Sequence, residues 1–160
     1  MIREACLAAR DALGALFRGD SLRMSPENRT TTVMFITRKR IEKYCEVRDK
    51  LPRQLSELPG REDHENIEVD GWGRPLSKAM KDELALDRQR MDNAIDGWGR
   101  PLLFEAGENE IVLRSHGADG VAGGDTADYE MKITRDPVTG ELSHMERKIE
   151  GGKVVWEDAH

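Results

Sequence analysis

A chain of 160 residues has room for one hydrophobic core, and a composition 38% hydrophobic and 35% charged is that of a soluble globular domain. The net charge of −6 argues against broad nucleic-acid binding, which needs a dense basic face to neutralise phosphates, and favours cations as partners. The two cysteines, Cys6 and Cys45, show no metal-knot or disulfide-framework spacing and read as small buried apolar residues, and no apolar run approaches the ~18 residues of a membrane span.

The first predicted element is amphipathic. Ile2, Ala5, Cys6, Ala9, Leu13, Leu16 and Phe17 fall on one helical stripe that ends near Gly19 and Asp20. That stripe has to lie on its own domain, on a partner or on a membrane surface. Residues 1–26 are therefore read as an N-terminal amphipathic helix and linker, and residues 27–160 as the main domain.

After a loop through Met24, Ser25 and Pro26, the spacing of Met34, Ile41, Tyr44 and Leu51 predicts a second helix over about Thr30 to Asp49. Leu51-Pro52 stops it, because the residue before a proline is pushed out of the helical region. The charged residues between, among them Arg38, Lys39 and Glu42, are expected on a wet face, as is the short basic run RKRIEK. RQLSELPG then reads as a short helical turn with Leu55 and Leu58 facing in.

A near repeat follows. VDGWGRPL runs from Val69 to Leu76 and IDGWGRPLLF from Ile95 to Phe104, so two of the three tryptophans sit in copies of one heptapeptide. Physically the motif is a corner with an anchor: Asp holds a turn, the glycines permit unusual φ, Trp carries a large apolar surface and Pro starts an extended segment. Between the copies, Ser77 caps a predicted helix with Met80, Leu84, Met91 and Ile95 on one face and Lys81, Asp82, Asp87 and Arg88 in water.

From Pro101 onward the pattern is β. PLLFEAG, EIVLRSH, YEMKITRD, ELSHMERKIE and KVVWED are strand-like, separated by turn signals at Gly107-Glu108-Asn109, Asp136 to Gly140 and Gly151-Gly152. Helices first and a strand meander after them predict an α+β fold, N-terminal helices packed on a small C-terminal antiparallel sheet. The last two strands extend the sheet or cover its edge, with Trp156 expected to bury that end.

No catalytic signature appears. The four histidines, His64, His116, His144 and His160, lack H-x-x-x-H and H-E-x-x-H spacing and are expected in solvent. Cys45 has no histidine tied to it by pattern, and no Walker or Rossmann glycine motif follows a strand. The chain is accordingly read as a non-enzyme. Asp119, Asp125 and Asp128 lie close together in the glycine-rich stretch HGADGVAGGDTADYE. Hard oxygen donors on a pliable loop suit calcium, which accepts about six to eight ligands at irregular angles, better than octahedral magnesium.

The order of a long helix, LPRQLSELPGRE, DGWGRPLLFEAG and IVLRSHGADGVAGGDTAD resembles the soluble domain of the major pseudopilin of type II secretion, the general secretion pathway protein G family. Asp96, Trp98, Gly99 and Pro101 match its D-x-W-G-x-P corner; Ser115, Gly117, Asp119, Gly120, Gly123, Gly124 and Asp128 match its Ser/Gly/Asp loop. The likeness covers roughly residues 29–130. It implies a non-enzymatic structural and assembly role in protein secretion, with other pseudopilin or secretion-system proteins as partners. It also implies calcium held by Asp119, Asp128 and Asp125, with main-chain oxygens of Leu113 and Ser115 as further donors. Removing Asp70 to Ile95 restores the family's usual spacing, so residues of about 70–95 are an insertion and Trp98 keeps the structural role.

One departure concerns the N-terminus. The family begins with a cleaved leader and a long apolar anchor helix, whereas IREACLAARDALGALF is too short and polar to span ~30 Å of hydrocarbon. Either that segment was lost or trimmed, or the start was misassigned, or the chain is a free-standing derivative. The compartment is periplasmic or inner-membrane-associated in the first cases and cytoplasmic in the last. The alternative function is a soluble accessory module that binds a protein partner through the N-terminal and inserted helices, with the acidic loop metal-free.

Overall fold

The computed structural model describes residues 24–60, 68 and 73–160. The N-terminal amphipathic stripe, Cys6, His64 and Trp72 lie outside the described residues.

Helix α1 (Pro26–Arg48) begins four residues before the expected Thr30. Its start is set by Ser25, whose side chain accepts from the Asn28 N–H at 3.2 Å, and by a proline in the first turn, where a missing N–H costs nothing. It ends at Asp49 in the left-handed conformation (φ 52°), one residue after Arg48, as Leu51-Pro52 predicts. Val33, Met34, Ile36, Ile41, Tyr44 and Cys45 make its buried stripe. A 3₁₀ turn (Leu55–Glu57) follows, and Leu58 closes the core beneath it. Helix α2 (Lys78–Asp92) is capped by Ser77, whose hydroxyl accepts from the Met80 N–H, and packs on α1, with Met91 in the shared core and Leu84 also buried.

The sheet is a five-stranded antiparallel meander in chain order: β1 (Leu103–Ala106), β2 (Glu110–Ser115), β3 (Asp128–Arg135), β4 (Leu142–Glu150) and β5 (Lys153–Ala159). All three expected turns join these strands, so the α+β class of the sequence reading holds. Register puts Phe104 opposite Leu113 and Leu113 opposite Met131, and Ile111 opposite Ile133. These side chains form the face that meets α1, with Ile111, Leu113 and Met131 fully buried.

Toward β4 that same face turns polar. Ile133 pairs with His144, Met131 with Glu146 and Tyr129 with Lys148, so the helix covers charges there instead of hydrocarbon. The opposite face is held by ion pairs: Arg114 reaches Glu130 at 2.7 Å and Glu105 at 2.6 Å, and Arg147 reaches Glu130 at 2.5 Å.

Four expectations about individual side chains need correction. Asp87 is not wet: it is 3% exposed, because α2 lies on α1 and sets its carboxylate 3.5 Å from Arg29 and 3.7 Å from Arg90. Arg38 is likewise buried, its guanidinium over the Phe35 ring at 4.9 Å and bonded to Glu42 at 2.5 Å. Trp156 does not bury its end of the sheet. It is 39% exposed with Val154 and Val155 beside it, since β5 is an edge strand beyond the reach of the helices, bulged opposite Lys148 and Ile149. His116 and His144 are half-buried, not in solvent: His116 sits beside Asp128, and His144 lies on the helix-facing side of β4.

Candidate functional site: the corner and the acidic loop

The second heptapeptide copy builds the base of the site. Asp96 is 2% exposed, and its Oδ1 accepts the N–H of Trp98 at 3.0 Å and of Arg100 at 2.8 Å. Its Oδ2 accepts the Ser115 hydroxyl at 2.6 Å, tying the corner to the end of β2. The main chain closes on itself, with the Asp96 N–H donating to the Arg100 carbonyl at 2.7 Å and Gly99 in the left-handed region (φ 85°). Gly97 donates to Thr30 Oγ1 at 2.9 Å, and a Cβ there would overlap the Pro26 carbonyl. The corner thus grips the first turn of α1. Trp98 is half-buried against Tyr129, ring centroids 5.9 Å apart, and Pro101 leads into β1.

The loop between β2 and β3 is organised around two of the three aspartates. Asp119, exposed at the tip, accepts the Val121 N–H at 3.0 Å on Oδ1 and the Thr126 N–H at 3.2 Å on Oδ2, and its own N–H donates to Thr126 Oγ1. The Val121 N–H, followed by the Thr126 groups, holds its carboxyl below the ordinary carboxylate range. Gly124 passes so close beneath that a Cβ would strike the carboxylate. Asp128, the first residue of β3, accepts the Gly123 N–H on Oδ2 at 2.7 Å. Its Oδ1 is buried without a hydrogen-bond partner and lies 3.6 Å from the similarly buried Nδ1 of His116.

Asp125 is exposed, and among the described residues no three His, Cys, Asp or Glu side chains converge as a metal-holding group. Leu113 is mid-strand between β1 and β3, so its carbonyl belongs to the sheet ladder. Ser115 closes β2, its hydroxyl committed to Asp96. The side-chain donors left for a hard cation are the outer lone pairs of Asp119, the free carboxylate of Asp125 and the orphaned Oδ1 of Asp128. That last, buried oxygen is where added positive charge is best accommodated.

Two more residues stand out, Arg100, to which the motif gives no role, and His116, which is expected in solvent. Arg100 reaches from the corner across to the loop, donating to the carbonyls of Gly117 at 2.5 Å and Ala118 at 2.8 Å. His116 joins Asp128, Glu105, Arg114 and Leu103 in lining a cleft of about 380 Å³ on the outer sheet face. Proximity of Arg100 to a glycine-rich acidic stretch was the available signal, but no spacing rule links residues on two different loops. Among the described residues no helix is long and apolar enough to cross a membrane.

No family model, no curated protein and no solved structure matches this chain.

Proposed function

We propose that this chain is a non-enzymatic structural and assembly domain of pseudopilin type, related to type II secretion, with calcium taken up by the loop of residues 116–130. The observation that carries this reading is the continuous linkage from Thr30 through Gly97 and Asp96 to Ser115. One D-G-W-G-R-P corner joins a long helix, the first strand and the base of a Gly/Asp loop, in the order the resemblance implies. The polar groups of that linkage satisfy one another, which suits a scaffold better than a reaction centre.

Calcium would be held by Asp119, Asp125 and Asp128, and bound there it would neutralise the carboxylates and add its binding free energy to folding. The buried, unpartnered Oδ1 of Asp128 supports this. Melting the protein in chelator and in excess calcium tests it: a higher Tm with calcium that Asp119→Ala abolishes is expected, and identical curves refute the metal. The assembly role is tested by cross-linking to purified pseudopilins, with no adduct counting against it.

A second reading is a soluble accessory module that engages a protein partner through its helices. Such a contact would use the outer side of α2, where Leu86 is 46% exposed. Deleting residues 1–20 discriminates: an intact fold with lost partner binding supports the module.

A further inference from the structure

We propose that Arg100 is the tethered cation of the 116–130 loop, closing its carbonyl side without any metal. Two consecutive carbonyls, Gly117 and Ala118, turn toward one guanidinium. Adjacent peptide dipoles aimed at one point repel unless positive charge lies between them, and a planar fork satisfies both at once where a single ammonium would not. The loop also wraps the cation at close range. Gly120 adopts φ 69°, and a Cβ there would lie 2.9 Å from Arg100 Cζ and 3.0 Å from Nε. A side chain there would strain the backbone and push the guanidinium aside.

The cation is delivered from a rigid base. The backbone N–H of Arg100 is held by Asp96, which is held in turn by Ser115 at the start of the same loop. Corner, loop base and loop top are therefore one hydrogen-bonded unit, with Arg100 its single positive group. Asp119 and Asp128 organise the far side by accepting backbone N–H groups. The loop's inward carbonyls are thus matched by Arg100, and the Asp119 oxygens and Asp128 Oδ2 by amides, with Asp128 Oδ1 left over for a cation, so closure precedes metal binding. This deepens the calcium reading of the same loop but rests on it only in taking residues 116–130 as the functional element.

Hydrogen exchange of the loop amides, measured on the full chain in chelator and in excess calcium, provides the test. The Gly123 and Thr126 N–H groups, bonded across the loop to Asp128 and Asp119, are the reporters. In chelator the unaltered protein keeps these amides protected. Arg100→Gln loses about tenfold or more of that protection, the scale of two charge-assisted hydrogen bonds, while β3 and β4 amides stay protected. Arg100→Lys, which keeps the charge but not the fork, falls between the two and decides the matter if the glutamine variant fails to fold. Loop protection unchanged in these variants overturns the proposal, as does a loop of the unaltered protein that closes only with calcium. A melting curve indifferent to calcium sinks the metal reading and leaves Arg100 in its role.

Discussion

Replacing Asp96 by alanine probes the corner directly, because one buried carboxylate holds three donors from two chain segments. The Trp98 and Arg100 amides at 3.0 and 2.8 Å and the Ser115 hydroxyl at 2.6 Å would all lose their acceptor. Hydrogen bonds to charged groups contribute about 1.5–3 kcal/mol each, and a buried donor left unsatisfied costs about 1–3 kcal/mol. These are not additive, since truncation also removes the desolvation cost of the carboxylate at 2% exposure. We expect Asp96→Ala to lose about 3–5 kcal/mol, a Tm drop on the order of 10 °C for a domain of this size. Asp96→Asn keeps an oxygen for both amides and offers an N–H that Ser115 can accept by turning its hydroxyl, so about 1–2 kcal/mol is expected. Urea denaturation in chelator, followed by tryptophan fluorescence and far-UV circular dichroism, measures both. An alanine variant within about 1 kcal/mol of the unaltered protein, or an asparagine variant as damaged as alanine, refutes the corner as the joint between helix and sheet.

Gly97→Ala should cost more than Gly60→Ala, since a Cβ at Gly97 overlaps the Pro26 carbonyl while Gly60 faces open space; equal melting temperatures would contradict this. Burial, followed by the positive charge of Arg38, lowers the His144 pKa from 6.5 to about 4, despite the opposing pull of Glu42. Between those values the unfolded chain takes up the proton first, so stability falls as pH drops from about 6.5 to about 4 and then levels off. Burial raises the neighbouring Glu146, whose contribution runs the other way, so the comparison must be with His144→Asn, which should flatten that limb; parallel pH curves for the two proteins would count against it. Arg29→Ala and Asp87→Ala are expected to be non-additive in a double-mutant cycle, with coupling on the order of 1 kcal/mol, and strict additivity would mean that α2 is not docked through this pair.

Local signals carried the strand meander well. Turn chemistry at Gly107, at Asp136 to Gly140 and at Gly151-Gly152 is decided within a few residues, where the Asp136 carboxylate accepts the Val138 and Thr139 N–H groups at 2.7 and 2.8 Å. The Ser77 cap and the Leu51-Pro52 stop were legible for the same reason. Of the candidate loop, the backbone-binding use of Asp119 follows from its turn chemistry, and the glycines that permit it stand in the sequence. The convergence of Asp119, Asp125 and Asp128 was an inference from chain proximity, and the structure brings the first and third into the loop's amide network while leaving the second exposed.

What stayed hidden was every polar residue whose fate depends on a distant neighbour. Asp87 looks wet on a helical wheel until α1 supplies Arg29, and Arg38 looks like one of a basic run until the polar side of β4, with His144 and Glu146, lies over it. Arg100 is the sharpest instance. In DGWGRP it reads as the variable position between a glycine and a proline, yet its guanidinium spans to carbonyls 17 and 18 residues along the chain. Hydrophobic periodicity reports which face is buried, but it is blind to a charge that is drawn inward because its partner already lies there. In the second heptapeptide copy the tertiary setting, with Ser115, Thr30 and the loop carbonyls within reach, turns a generic corner into a joint, and none of those partners can be read from the heptapeptide itself.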